Sequence, residues 1–95
     1  MQIKEVQGLM YSIYFHKDLK RGEEGTLSRL LDELGELEES LKTGDRRNME
    51  AEFADVLAWL FSLANLVNVD LERASSEKYR GTCPKCAQRP CMCIL

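Results

Sequence analysis

The fold of this chain is decided by residues 27–67, which read LSRLLDELGELEESLKTGDRRNMEAEFADVLAWLFSLANLV. On both sides of Gly44, apolar residues recur at intervals of three and four, the spacing of one face of an α-helix. Gly44 is typical of the residue that ends a helix, and Asp45 is typical of the residue that caps the next one. The stretch therefore predicts two helices that fold back on each other as an antiparallel hairpin.

The helical spacing continues outside this stretch, and no alternation typical of β-strands is present. Gly22 and Gly25 bracket a predicted loop over residues 20–25. Helices are expected at about residues 3–18, 26–43, 45–67 and 70–80. The sequence therefore predicts an all-α fold, an antiparallel bundle of about four helices per chain.

The composition is that of an ordinary soluble protein, with 44% hydrophobic and 31% charged residues. The net charge of −3 gives no support for nucleic-acid binding, which usually needs a clustered basic patch. The longest apolar stretch, residues 56–67, is too short to span a bilayer, and the N-terminus lacks the apolar run of a signal peptide. We therefore expect a cytoplasmic protein with free thiols and no membrane partner.

The third predicted helix is apolar around almost its whole circumference, from residue 53 to residue 67. A helix of this kind is normally buried on several sides. A domain of about eighty residues has too few companion helices to enclose it. The pattern predicts a homo-oligomer, either a dimer or a tetramer, in which the subunits complete the helical bundle together.

Two pairs of acidic residues lie on the two helices of the hairpin. Glu33 and Glu36 are three residues apart on the first helix, so they lie on one face of it. Glu52 and Asp55 have the same relation on the second helix. The pairings 33/55 and 36/52 are both centred on residue 44, so a hairpin that turns at Gly44 brings all four carboxylates to one flank at matching heights.

Carboxylates this close repel one another by about 1 kcal/mol per pair in water and by up to roughly 4 kcal/mol at a protein surface. Binding a cation or taking up protons relieves that repulsion. Carboxylate oxygens without nearby histidine or cysteine select magnesium or manganese over zinc. A single acidic pair of this spacing is more often only solvated, and it is the matching of two pairs that favours a magnesium site.

The same residues resemble a known family. Leu31–Leu37 (LDELGEL) and Glu52–Leu57 (EFADVL) resemble the EExxE and ExxD motifs of the MazG nucleotide pyrophosphohydrolases. The likeness covers roughly residues 26–80, and Asp32 stands where the pattern usually has Glu. The resemblance implies that the chain hydrolyses a nucleoside triphosphate, standard or modified, ribo- or deoxyribonucleotide, to the monophosphate and pyrophosphate with a magnesium-activated water.

On this resemblance, magnesium and the reaction depend on four acids, Glu33, Glu36, Glu52 and Asp55. Asp32 would hold a further ion or help to orient the water. The phosphate chain needs cationic partners, and the candidates are Lys17, Arg21 and Lys78, for which an ordinary solvated surface charge is the alternative role. Asn65 is a further candidate for contact with the nucleotide, and a structural hydrogen bond is its alternative role.

The four cysteines of the chain lie within eleven residues near its C-terminal end, spaced C-x2-C-x4-C-x-C, at Cys83, Cys86, Cys91 and Cys93. Four thiolates match a closed structural zinc site, which leaves no open position for catalysis. Two disulfides, or a redox-labile disordered tail, are the alternatives. We expect residues 1–80 to form the helical domain and residues 81–95 to form a zinc-binding tail.

A second function also fits these features. The small size, the apolar third helix and the appended cysteines are compatible with a non-catalytic helical oligomer whose zinc-stabilised tail binds another protein. Magnesium-dependent release of pyrophosphate from a nucleotide distinguishes the two functions, and the matched acidic pairs favour the enzyme.

Overall fold

The chain reverses direction at Gly44. A computed structural model describes residues 1–94, and within that range it contains three helices and no strand. The helices are α1 (Ile3–Thr43), α2 (Arg46–Leu66) and α3 (Leu71–Lys78). The all-α prediction is confirmed, but the described chain has three helical elements instead of four because the first two predicted helices are joined.

The joined helix α1 is interrupted at a single residue. Gly22 has φ of 80° and ψ of 174°, a conformation that glycine adopts without the steric cost of a side chain. The prediction of a loop at residues 20–25 is therefore wrong, since the backbone on both sides of Gly22 stays helical. Residues 3–21 form the N-terminal segment of α1, and residues 23–43 form its C-terminal segment.

The turn between α1 and α2 follows the predicted local signals. Gly44 ends α1 in the left-handed conformation, with φ of 72°, as glycine commonly does. The Asp45 carboxylate accepts hydrogen bonds from two backbone N–H groups in the first turn of α2. Asp70 caps α3 in the same way. Each cap satisfies N–H groups that a helix start otherwise leaves without a partner.

The C-terminal segment of α1 runs antiparallel to α2. The guanidinium of Arg29 lies over the ring of Trp59 at 5.1 Å, and the carboxyl groups of Glu36 and Glu52 meet. Both pairs are centred on residue 44, which fixes the register of the hairpin. The N-terminal segment of α1 also contacts α2, because the break at Gly22 redirects the chain.

A single side-chain amide ties the three helices together. Gln7 Nε2 donates to Asn65 Oδ1 at 3.1 Å and to the carbonyl of Val69 at 2.7 Å. Gln7 Oε1 accepts from the backbone N–H of Leu71 at 3.0 Å. These bonds hold the start of α1 against the end of α2 and the first turn of α3.

Few large hydrophobic side chains are buried within the described chain. The core consists of Leu30, Phe61 and Ala64, while many apolar residues of α1 and α2 are exposed. The accessible surface is 7360 Å², against about 5600 Å² expected for a folded monomer of this mass. The chain therefore exposes roughly 1800 Å² more than a globular monomer of its size.

No single helix within residues 1–94 is long and apolar enough to cross a membrane. Taken together, α2 and α3 pass that test, but they are bent by 98° at the break between them.

Beyond α3 the described chain has no helix. The carbonyl of Cys83 accepts from the N–H of Ala87 at 2.8 Å, and the N–H of Cys83 donates to the carbonyl of Gln88 at 2.9 Å. These bonds close a compact turn around the first two cysteines. Leu95, the last residue of the predicted tail, lies outside the described residues.

Candidate functional site

Three of the four predicted magnesium ligands meet between α1 and α2. Glu33, Glu36 and Glu52 each place one carboxylate oxygen within 4.8 Å of the other two. The helix period puts Glu33 and Glu36 on adjacent turns of α1, and the register centred on residue 44 brings Glu52 level with them. Glu33 is buried, Glu52 is half-buried and Glu36 is exposed, so the cluster reaches from the helix contact to the surface.

Burial and mutual repulsion raise the pKa values of two carboxyl groups in this cluster. Burial raises the pKa of Glu33 to about 7, and its hydrogen bond with Glu36 and the charges of Glu36, Asp55 and Glu52 act in the same direction. The pKa of Glu52 is also raised, by desolvation first and then by the charges of Glu36 and Asp55. The Oε2 atoms of Glu33 and Glu52 are both buried without a hydrogen-bond partner.

The other two predicted acids lie beside the cluster. Asp55 is not among the three carboxylates that meet, but its charge helps to raise the pKa of Glu33 and of Glu52. Asp55 also lines the neighbouring cavity. Asp32 is exposed and lines a shallow depression with Glu36 and Glu52. Asp55 thus lies between the acidic cluster and the cavity, and Asp32 lies at the outer edge of the cluster.

The cavity next to the cluster has a volume of about 250 Å³. It lies between the N-terminal segment of α1 and α2, and it is lined by Tyr14, Lys17, Asp18, Arg21, Asp55, Ala58, Trp59 and Ser62. Two of the predicted phosphate ligands, Lys17 and Arg21, are therefore in its wall. The arrangement places cationic side chains and the edge of the acidic cluster around one space, as a metal-bound phosphate chain would require.

Sequence reasoning missed the second guanidinium of this region. Arg29 lies one turn before Glu33 on α1, and its Nη2 is 3.9 Å from Glu33 Oε1. Arg29 and Arg21 both lie against the Trp59 ring, at 5.1 Å and 4.5 Å. The four-residue spacing from Arg29 to Glu33 was a visible signal, but the contact with Trp59 depends on the register of the hairpin.

The remaining two predicted substrate ligands lie elsewhere. The Asn65 amide is bonded to Gln7, donating from Nδ2 to the Gln7 carbonyl at 3.2 Å and accepting at Oδ1, which is its alternative, structural role. Lys78 lies at the end of α3, with Nζ 5.6 Å from the centroid of the Tyr79 ring. Neither residue lines the cavity beside Asp55, and their contact with a nucleotide stays a prediction.

The cysteines of the tail form a second cluster, in which every sulfur lies within 4.8 Å of the others: Cys83, Cys86, Cys91 and Cys93. The sulfurs of Cys83 and Cys93 are 3.7 Å apart, and those of Cys86 and Cys91 are 3.9 Å apart. Sulfurs arranged tetrahedrally about 2.3 Å from a zinc ion are about 3.8 Å apart. All four thiols are free, and the cluster could hold one metal ion.

Backbone N–H groups are directed at these sulfurs. The N–H of Met92 lies 3.4 Å from the Cys86 sulfur, and this donor is the largest cause that lowers the pKa of Cys86 to about 6. The pKa of Cys83 is lowered by backbone N–H groups too. Contacts with the other three sulfurs raise the pKa of Cys93 to about 11. Such a mixture of thiolate and thiol suits a cation that replaces the remaining protons.

The fold and the site together define an all-α hairpin that carries a carboxylate cluster beside a cationic cavity. Residues 21–89 match the model of the MazG nucleotide pyrophosphohydrolase domain. This match covers more than half of the chain, so the chain belongs to that family and the resemblance seen in its motifs is confirmed. The family implies a hydrolase that acts on nucleoside triphosphates and typically uses divalent metals. No curated protein matches the chain significantly.

Proposed function

We propose that this protein is a magnesium-dependent enzyme that hydrolyses a nucleoside triphosphate to the nucleoside monophosphate and pyrophosphate. The observation that carries the proposal is the meeting of Glu33, Glu36 and Glu52 beside a cavity with cationic side chains in its wall. Family membership supports the substrate class. The nucleotide is standard or modified, and deoxynucleotides belong to the same proposal.

The acidic cluster fits a hard divalent cation. Its donors are carboxylate oxygens, which are the ligands that magnesium and manganese prefer. Desolvation first, and then the charges of neighbouring carboxylates, raise the pKa values of Glu33 and Glu52, and a bound cation would favour the charged form of both groups. Each of these residues also has a buried oxygen without a hydrogen-bond partner. Bound there, magnesium would neutralise phosphate charge and make a water molecule more acidic.

The reaction forms a bond between a water oxygen and the α-phosphorus. It breaks the bond from that phosphorus to the oxygen that bridges to the β-phosphate. In the proposed enzyme Glu33, Glu36 and Glu52 bind the metal, and Asp55 contributes a further ligand from the cavity side. Arg21, together with Lys17, binds phosphate oxygens, and Asp32 helps to orient the water or binds a further ion.

Pyrophosphate release from a panel of standard and modified nucleotides, with and without magnesium, tests this proposal. We expect magnesium-dependent release from at least one nucleotide and its loss in Glu36→Gln. Glu38→Gln is the matched control, because Glu38 is an exposed acid on the same helix outside the cluster. Magnesium binding without turnover of any nucleotide would make the non-catalytic interaction module the better description.

The proposed enzyme is a homo-oligomer in which a second copy covers an apolar face of the hairpin. This face consists of two exposed stripes, one on each helix, at Leu27, Leu31 and Leu34 and at Phe53, Leu57 and Leu60. Within each helix, the spacing of three and four places the stripe on one face. Both stripes are offset by a similar angle, in the direction of the chain, from the face that meets the other helix, so on antiparallel helices they lie on the same side of the hairpin, away from the acids. The excess accessible surface of roughly 1800 Å² exceeds the about 800 Å² that each partner buries in a standard interface.

The size of the cavity supports the same assembly. At about 250 Å³, the cavity is smaller than the roughly 300–1000 Å³ of sites that enclose a small ligand. A second copy of the chain would supply the walls that one copy lacks.

Light scattering at micromolar concentration should give the mass of a dimer or a tetramer. Leu57→Glu should shift that mass towards the monomer, and Leu9→Glu, an exposed site on the other segment of α1, should not. A monomeric wild type would contradict the assembly.

Zinc is the metal that we assign to the cysteine cluster, with a structural role. Four sulfur ligands within 4.8 Å of one another would fill every position that a structural zinc ion offers, so this ion takes no part in the hydrolysis. Metal analysis of freshly purified protein should find one zinc ion per chain. Four titratable thiols in metal-free protein as purified would contradict the assignment.

A further inference from the structure

Arg21 is held in the wall of the cavity by two partners. Its Nη1 lies 2.7 Å from Asp18 Oδ1, and its guanidinium carbon lies 4.5 Å from the centroid of the Trp59 ring. Asp18 is 1% exposed, so the acid that holds the guanidinium is shielded from water. Charge-assisted pairs and cation–π contacts both strengthen when they are shielded in this way.

Gly25 provides the space that this conformation of Arg21 needs. A Cβ atom built on Gly25 would lie 2.7 Å from Cγ of Arg21, which is closer than real atoms approach. Gly25 lies within α1, and its φ is outside the left-handed region, so the backbone does not require glycine there. Alanine is the better helix former. The room for the Arg21 side chain is therefore the physical reason for glycine at this position.

We propose that Asp18, Gly25 and Trp59 position Arg21 as a preformed receptor for the phosphate chain of the substrate. This inference rests on the proposed function, because the anion it names is the nucleotide's own phosphate chain. A guanidinium has five N–H donors, so its bond to Asp18 leaves others for phosphate oxygens. An arginine already fixed in place loses less conformational freedom when the anion binds. Asp18, Gly25 and Trp59 act through Arg21 and are positioning residues.

The fluorescence of the protein reports directly on this arrangement. Trp59 is the single tryptophan of the chain, and its emission depends on the charge that lies against its ring. We expect Arg21→Ala to change the emission spectrum and Gly25→Ala to change it in the same direction. Gly8→Ala is the matched control, since a Cβ on Gly8, also within α1, meets nothing within 4 Å. Its spectrum should overlay that of the wild type.

Binding of inorganic pyrophosphate, measured by calorimetry in the presence of magnesium, tests the role in phosphate recognition. We expect Gly25→Ala to weaken pyrophosphate binding about tenfold or more, the size expected for a lost charge-assisted hydrogen bond. Gly25→Ala should have no further effect in a chain that already carries Arg21→Ala. Asp18→Asn, which removes the anchoring charge, should weaken binding in the same sense, and it serves if Gly25→Ala does not fold.

Three results of the fluorescence and binding experiments would overturn the inference. Gly25→Ala could bind pyrophosphate and fluoresce like Gly8→Ala, or it could weaken binding equally with and without Arg21, or the wild type could fail to bind pyrophosphate. Failure of the proposed function is a different result, in which the wild type binds pyrophosphate through Arg21 but hydrolyses no nucleotide. An active wild type in which Gly25→Ala leaves KM and kcat unchanged would reject the positioning role alone.

Discussion

The two side-chain clusters of this molecule are built in opposite ways. The acidic cluster joins α1 to α2, and Glu33 and Glu52 are separated in the sequence by the end of α1, the turn and the first turns of α2. The cysteine cluster is local, since Cys83 and Cys93 lie in a short segment that contains no helix. One cluster depends on the register of a hairpin, and the other depends on the spacing of neighbouring residues.

The two clusters also differ in their chemistry and in their dependence on the fold. The carboxylates offer hard oxygen ligands at the edge of a cavity, where a cation can also contact a phosphate chain. The sulfurs surround a single position and leave no ligand site open. The comparison therefore predicts that each cluster can be damaged without damaging the other.

Cys86→Ser should produce the largest effect, and that effect should be confined to the tail. Removal of one of four ligands should abolish stoichiometric zinc binding. The effect on the tail should be large, because structural zinc sites contribute on the order of 10 kcal/mol to the folding of the segment that binds the ion. Pyrophosphate release should continue, since the acids lie on α1 and α2. Metal analysis and the activity assay check both parts. Ser76→Ala, on α3, is a control that should keep its zinc.

Glu52→Gln tests whether damage to the acidic cluster leaves the zinc site intact. Loss of a carboxylate from the acidic cluster should lower the rate of pyrophosphate release by about 100-fold or more. Removal of a group that only supports a metal ligand typically costs about 10- to 100-fold, and we expect the loss of a ligand to cost at least as much. Zinc content should stay at that of the wild type. Glu50→Gln, an exposed acid on the same helix, is the control. Equal activity of the two variants would argue against a metal site at the cluster.

The protonation of Glu33 predicts how stability depends on pH. Its pKa is raised from 4.5 to about 7 in the folded protein, so the folded chain binds more protons than the unfolded chain between those values. The free energy of unfolding should therefore fall as the pH rises from about 4.5 through about 7, and this contribution should level off above that. Thermal unfolding in magnesium-free buffer measures the slope.

Two comparisons sharpen this measurement. Glu33→Gln should reduce the slope to the part that the raised pKa of Glu52 contributes, whereas Glu38→Gln should retain it in full. Magnesium at 100 times its Kd should stabilise the folded wild type by about 2.7 kcal/mol and should stabilise Glu33→Gln less. A slope of the opposite sign, or an equal effect of magnesium on both proteins, would contradict the placement of Glu33 in the cation site.

The hairpin and its acids could be predicted because their signals are local and periodic. Gly44 and Asp45 mark the turn, and the three-residue spacing of Glu33 and Glu36 places both on one face of α1. The register then followed from counting outward from residue 44. The fourth carboxylate, on Asp55, lies at the cavity instead of inside the group, because equal spacing along two helices does not fix side-chain conformations.

The N-terminal segment of α1 could not be placed in the same way. Two glycines close together predicted a loop, whereas only Gly22 leaves helical geometry, and Gly25 is explained by the side chain of Arg21. The burial of Asp18 and the bonds of Gln7 to α2 and α3 depend on where this segment packs. Sequence periodicity gives the faces of a helix but not the angle at which it crosses another.

The smallest predicted effect concerns the turn that sets the register of the acids. Gly44 has φ of 72°, so Gly44→Ala should lower the free energy of unfolding by about 1 kcal/mol through left-handed strain. Gly44→Asn should cost less, because asparagine tolerates this conformation. Gly81→Ala is the control in the tail, where φ is 96°.

Thermal unfolding of the helices, followed by circular dichroism, compares the three glycine variants. The strain at Gly44 lies in the unit that unfolds with α1 and α2, so its variants should shift that transition. The strain at Gly81 lies beyond α3, so Gly81→Ala should affect zinc retention and leave the helical transition in place. Pyrophosphate release by Gly44→Ala should persist at temperatures below unfolding, because the contacts between α1 and α2 also maintain the register. If both glycines shifted the helical transition equally, the tail and the hairpin would form one cooperative unit, and the independence of the two clusters would be wrong.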